Sequence, residues 1–239
     1  MSGIAEPLVL LPGLMADARV FRAQIEPLSR HRPVTVAPIT SGERVEEIAS
    51  DLMSRLPQRF ALGGHGLGGV VAMELLRRAP ERVTRIAVLS CTPLPETPQE
   101  AAAREPRLIR ARAGKMAEAL DEEFPVSAFA KSPARQTHRA TQLAMAKELG
   151  AACYARQIRA LQRRKDQQAT LRRCRVPALV LGGALDPLIP EKRLRFLAEL
   201  IPHAKLALIP DAGHLPMLEA PEAVTEALET WLAAPLVLR

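Results

Sequence analysis

The chain has 239 residues, 48% hydrophobic and 25% charged, which excludes disorder over its whole length and suffices for one domain with a substantial core and an inserted subdomain. The net charge of +7 is uneven: from Pro95 to Arg175 there are 17 Lys+Arg against 9 Asp+Glu. No aromatic stacking residues or recognised binding motif accompany these basic residues, which argues against a nucleic-acid partner and leaves a solvated Arg-rich surface, or a surface for an anionic ligand or an acidic carrier.

Leu8-Val9-Leu10-Leu11 is a short apolar run ended by Pro12-Gly13 and reads as a buried strand. Asp17 can cap a helix reaching about Arg30, with Val20, Phe21, Ile25 and Leu28 at helical spacing. Val34 to Val36 is a second strand, and Ser41 to Leu56 a helix presenting Val45, Ile48, Leu52 and Leu56. Phe60-Ala61-Leu62 is a third strand that runs into Gly63-Gly64-His65-Gly66-Leu67-Gly68-Gly69, followed by a helix to Ala79. Ile86 to Leu89 is a fourth strand. From Pro93 to Gln168 no strand is evident, only helix-forming sequence with interruptions at Pro98, Pro106, Gly114, Pro125 and Pro133. The alternation resumes with a strand at 178–181, a helix at 191–200, a strand at 204–209 and a helix from Pro221 to Trp231. Apolar strands alternating with helices imply a mostly parallel sheet covered on both faces.

Ligands of such sheets bind beyond the carboxyl ends of the strands. Four loops fall there: Pro12-Gly13-Leu14-Met15, the glycine-rich turn at 63–69, Gly183-Ala184-Leu185-Asp186, and Asp211-Ala212-Gly213-His214. The turn has the form of a nucleophile elbow, G-x-S-x-G, with Gly66 where the motif has serine. It lacks the Lys-Ser/Thr of a phosphate-binding loop. An acid and a histidine follow it at later strand ends, in the chain order elbow, Asp, His.

These four segments, in this order and over essentially the whole chain, resemble the α/β-hydrolase superfamily, in particular its small carboxylesterases with a helical cap. The resemblance implies an α/β-hydrolase core at 1–94 and 175–239, a sheet of about six strands without the family's first two, and a cap at 95–174. It implies His214 as general base, Asp186 as the residue that orients it, and the N–H groups of Leu14 and Leu67 as an oxyanion hole. His65 and Asp17 are expected to be structural, and Asp211 to brace its loop. The pocket, in a chain with only 3% aromatics, is expected to be aliphatic and Met-rich, with Met15, Phe124, Phe129, Met145, Tyr154 and Met217 as candidates. The substrate implied is a small-molecule carboxylic ester or thioester with a medium-sized acyl group.

Gly66 offers no Oγ, so no acyl-enzyme can form there. Ser90 and Cys91 end the fourth strand and are not on the elbow. Three accounts stay open: a serine replaced so that substrate or product is trapped, a natural glycine giving a ligand-binding protein on this fold or a degenerate enzyme, or a water activated by His214.

Three cysteines (Cys91, Cys153, Cys174) without C-x-x-C spacing argue against a disulfide framework or a zinc site, and no metal or cofactor is expected. Residues 1–7 lack a basic region followed by a long apolar stretch, so no signal peptide is read. No apolar run approaches the ~20 residues needed to span a bilayer, so no membrane is expected as a partner. A cytoplasmic location is the expectation.

Overall fold

A computed structural model describes residues 6–236; the reading of residues 1–7 as free of a signal peptide falls largely on residues 1–5, which lie outside the described residues. Six strands form one sheet in the order β2-β1-β3-β4-β5-β6, with every neighbouring pair parallel. They are β1 (Leu8–Leu11), β2 (Val34–Val36), β3 (Phe60–His65), β4 (Val83–Leu89), β5 (Ala178–Gly183) and β6 (Lys205–Ile209). The chain reverses its direction of growth across the sheet at β1, so the ends of β1 and β3 lie beside each other at the switch point where such folds bind ligands.

Helices cover both faces, and alternation along each strand sorts the side chains between them. Val9, Leu11, Leu62, Val88 and Val180 pack with α2 (Val45–Met53), α3 (Leu67–Arg78) and α8 (Glu191–Leu200). Leu8, Leu10, Ala61, Leu89, Leu179 and Leu181 pack with α1 (Arg22–Ser29) and α10 (Pro221–Ala233), the latter through Val224, Leu228 and Trp231. Strands β1, β3, β4 and β5 are buried along their whole length, as parallel strands covered on both faces are; in β4 this takes in Thr84 and Arg85, the latter paired with Glu6.

Between β4 and β5 lie α4 (Pro98–Arg112), α5 (Met116–Glu123), α6 (Arg135–Gln162) and the short α7 (Gln168–Arg172). The first three share an apolar cluster of Leu108, Leu120, Phe124, Tyr154 and Ile158, into which Met15 from the β1 loop inserts. Several boundaries differ from the sequence reading: β3 runs on to His65 and β4 begins at Val83. Residues 41–44 are not helical: Gly42 has φ 76°, and the Ser41 hydroxyl donates to Asp51 at 2.7 Å instead of starting a helix. Pro106 does not interrupt α4, which continues through it with Leu108 and Ala111 buried beyond, whereas Gly150, at φ 78°, breaks α6 internally.

The turn from β3 into α3 brings backbone against backbone. A Cβ on Gly68 would stand 2.3 Å from the Leu11 carbonyl oxygen and 2.4 Å from that of Pro12, and one on Gly64 would stand 2.3 Å from the Gly68 oxygen. Such contacts cannot be relieved by a side-chain rotation. Gly68→Ala is therefore expected to destabilise the protein by about 3 kcal/mol, the upper part of the range for overpacking. Thermal unfolding checks this; a melting temperature within a degree or two of the parent would show that helix α3 does not need the close approach.

Candidate active site

All strands being parallel, their carboxyl ends meet at one edge, and the four loops singled out from the sequence converge there. Gly66 sits between β3 and α3 at φ 52°, ψ −118°. Its N–H donates to the Leu89 carbonyl at 2.9 Å and its carbonyl accepts from Val70 N–H at 3.1 Å, so the turn is fixed at both ends. Unlike its neighbours, Gly66 has space: a Cβ there would find nothing nearer than the Gly13 Cα at 3.8 Å.

Asp186, in the loop after β5, and His214, in the loop after β6, are joined by a hydrogen bond of 2.8 Å in which His214 Nδ1–H donates to Asp186 Oδ2. A carboxylate can only accept, so this bond fixes the neutral ring with Nε2 as a free acceptor. Asp186 Oδ1 accepts from the N–H groups of Leu188 at 2.8 Å and Ile189 at 3.1 Å, and its side chain is wholly buried. The His214 backbone N–H donates to Ala128 at 2.7 Å. Burial disfavours the His214 imidazolium, but the charge and hydrogen bond of Asp186, with Glu219 and Glu123 adding to the field, hold its pKa above the ordinary 6.5.

His65 packs edge-on against His214, with ring centres 5.0 Å apart. Its Nε2–H donates to the His214 carbonyl at 2.9 Å. Burial, reinforced by the neighbouring His214, pushes its pKa down to about 3. It is thus a neutral spacer between the elbow and the His214 loop.

Sequence reading missed three residues that hold this edge together. Glu219, on α9 (Pro216–Glu219), accepts from Gly213 N–H at 3.0 Å, Leu215 N–H at 2.9 Å and Ala130 N–H at 2.6 Å, clasping the peptide on either side of His214. Asp211, expected to brace that loop, is exposed and makes none of these bonds. On the β1 side, Gln157 Oε1 accepts from Met15 N–H at 2.8 Å while Gln142 Nε2 donates to the Met15 carbonyl at 2.9 Å, both from α6. Gln157 Nε2 also donates to Ile39 at 3.1 Å. Met15 itself is in the left-handed region at φ 51°. The loop that carries Leu14 is therefore clamped by the inserted helices. No signal in the sequence marks these glutamines, which act across more than 100 residues.

A cavity of about 290 Å³ brings together Leu14, Gly66, Leu67, His214 and His65, with Ser90 and Cys91 from the end of β4. Of the six expected pocket residues only Phe124 lines it. Met15 and Tyr154 are buried in the cluster of the inserted helices, and Phe129, Met145 and Met217 in the core against the α1–α10 face. The expected Met-rich wall is corrected accordingly: the methionines were drawn into the cores, and the cavity is walled by other aliphatic side chains, such as Leu67, Val70, Leu161 and Leu188, together with charged groups, among them Glu96, Arg104, Arg107, Glu123 and Arg164. Ser90, at φ 43°, is in a left-handed turn of its own, but its hydroxyl is fully buried. Burial pushes the Cys91 thiol up to about 12, far from a thiolate at neutral pH.

Because Gln157 satisfies two buried backbone groups at once, Gln157→Leu is expected to cost about 2 kcal/mol, the penalty for orphaning buried polar groups. Urea unfolding measures it, and an unchanged midpoint would show that the Leu14 loop stands without the clamp.

The model of the alpha/beta hydrolase family matches residues 8–227. A pimeloyl-(acyl-carrier protein) methyl ester esterase of Aromatoleum aromaticum is 30% identical over 200 residues, covering 79% of this chain and 80% of that protein. Among solved structures, a thermophilic esterase from Thermogutta terrifontis matches with a TM-score of 0.86 at 25% identity, covering 96% of this chain and 90% of that one. An enol-lactonase from Burkholderia xenovorans also reaches 0.86, at 23% identity over 97% and 93%, a likeness of fold. By sequence as well as by fold, the chain belongs to the alpha/beta hydrolase family.

Proposed function

We propose that the chain carries the site of a carboxylic ester or thioester hydrolase for a small acyl substrate, with Gly66 in the place of the nucleophile and residues 95–174 acting as its cap. The observation that carries this reading is the Asp186–His214 hydrogen bond of 2.8 Å in one cavity with a left-handed Gly66 whose missing Cβ has room. In this reading His214 is the base, Asp186 fixes its tautomer and offsets the imidazolium charge, and the Leu14 and Leu67 N–H groups receive the oxyanion. Leu67 opens α3, so its N–H is one of the helix's free donors.

Without Oγ the two-step route through an acyl-enzyme is closed. The route open to the glycine chain is single displacement: His214 Nε2 takes a proton from water, the hydroxide adds to the carbonyl, and the imidazolium returns the proton to the leaving oxygen or sulfur. It is slow, since the base and oxyanion hole act without a positioned nucleophile, and substrate or product is held longer than it would be by a serine enzyme. Ligand binding without turnover is the competing reading.

Carrier-bound acyl groups suit the relative named above, and an acidic carrier would find charge on the cap. Much of that charge is internally matched, however, as in Arg159 with Glu105 and Arg163 with Glu43. Arg112, Lys131, Arg135, Lys147, Arg156, Arg172 and Arg173 remain outside ion pairs among the described residues. All three cysteines are free and buried, which supports a reducing, cytoplasmic setting. Among the described residues no helix is long and apolar enough to cross a membrane.

Gly66→Ser is expected to raise kcat/KM on short p-nitrophenyl esters by at least ~10³-fold, the order by which triad members matter, while costing about 1–2 kcal/mol in stability because a side chain then occupies a strained backbone position. Gly66→Ala should show the same stability loss without the gain in rate. A serine variant no faster than the alanine variant would overturn the hydrolase reading in favour of a binder.

The restored enzyme should lose kcat/KM as pH falls. Neutral His214 is the active form, and its pKa lies above 6.5, so the loss should be centred above that value. A profile flat from pH 5 to 8 would remove His214 as the base.

A further inference from the structure

Part of the wall of the cavity is a chain of ion pairs contributed by the inserted helices and the segments beside them. Glu96 Oε1 accepts from Arg104 Nε at 2.7 Å and from Arg164 Nη1 at 2.9 Å. Glu123 accepts from Arg104 Nη1 at 2.7 Å, from Arg107 Nη1 at 2.9 Å and from the Tyr154 hydroxyl at 3.0 Å. Exposure of these charged side chains runs from 1% for Glu96 to 19% for Arg107. Burial and the adjacent Glu123 raise the pKa of the Tyr154 hydroxyl, which stays a neutral donor.

Three guanidiniums thus meet two carboxylates. The other charged residues lining the cavity do not supply the missing negative charge: Glu100 is matched by Arg193 at 3.6 Å and Glu122 by Arg110 at 2.5 Å. One positive charge is left over where water is scarce, an arrangement that is costly unless an anion completes it. Arg107 is the surplus group. Arg104 and Arg164 suffice to neutralise Glu96 and Glu123, and the only carboxylate bonded to Arg107 is one it shares with Arg104 and Tyr154.

We propose that this cluster is a subsite for a carboxylate on the substrate, so that the preferred ligand is a half-ester of a short dicarboxylic acid, its free carboxylate at Arg107 and its ester group at Gly66 and His214. Guanidinium is the cation best shaped for a carboxylate, which it can meet with paired N–H donors. The cavity, at about 290 Å³, suits a short chain between the two ends. This inference rests on the reading of the cavity as an acyl site, but its test needs no catalysis.

Binding of monomethyl glutarate and dimethyl glutarate to the unaltered Gly66 chain, measured by calorimetry at low salt, separates the ideas. The half-ester should bind about tenfold more tightly, the size of one charge-assisted contact. Arg107→Gln should erase that preference while leaving affinity for the dimethyl ester unchanged. It should also leave the ligand-free melting temperature equal or higher, because the cluster becomes balanced in charge. A purely structural cluster gives the opposite result, with a lower melting temperature in Arg107→Gln and no preference between the esters in either protein, and would overturn the proposal. Failure of the hydrolase reading looks different: Gly66→Ser would then remain inactive on neutral p-nitrophenyl acetate even if the half-ester were preferred.

Discussion

The structure depends on one constraint, the passage from β3 to α3 within a single residue. To start a helix immediately at the end of a buried strand, the chain needs a left-handed residue at position 66 and bare backbone at positions 64 and 68. With Gly68 pressed against the carbonyls of Leu11 and Pro12, the end of β1 is locked to the first turn of α3. That lock places Leu14 and Leu67 in one cavity, and it aims the free end of the helix at the same space that His214 faces. The glycine at 66 is of another kind. Gly64 and Gly68 are glycine because backbone leaves no room for a side chain, whereas position 66 has space that its residue does not use.

Around this turn the candidate site is assembled from parts that do not touch one another in sequence. The Asp186–His214 pair is held by backbone donors at Leu188 and Ile189 on one side and by the Glu219 clasp on the other. The Leu14 loop is held by glutamines of the inserted helices. The insertion is thus coupled to both sides of the cavity, through Gln142 and Gln157 to the Leu14 loop and through Ala128 and Ala130 to His214 and Glu219.

Much of the fold was legible in the sequence because buried parallel strands are nearly continuous apolar runs and all but β4 end in, or within two residues of, Pro or Gly. The loops at strand ends were legible for the same reason, since their glycines and lone polar residues stand out against such runs. The pocket was not. Met15, Met145 and Met217 look alike whether they face a cavity or a core, and the direction is set by packing between segments more than 100 residues apart. Charge was misleading in a similar way. The excess of Lys and Arg between 95 and 175 suggested an open basic surface, yet Arg104, Arg107 and Arg164 turn inward onto Glu96 and Glu123. Counting charges cannot show which of them are paired.

The most direct test of the central claim is to locate the reactive atom once serine is supplied. Gly66→Ser treated with a fluorophosphonate and analysed by peptide mass spectrometry should carry one adduct per chain, on residue 66. The Gly66 protein should carry none, and Gly66→Ser combined with His214→Ala should react far more slowly. An adduct on Ser90, or none on residue 66 of a folded variant, would contradict the assignment of the elbow as the nucleophile's place.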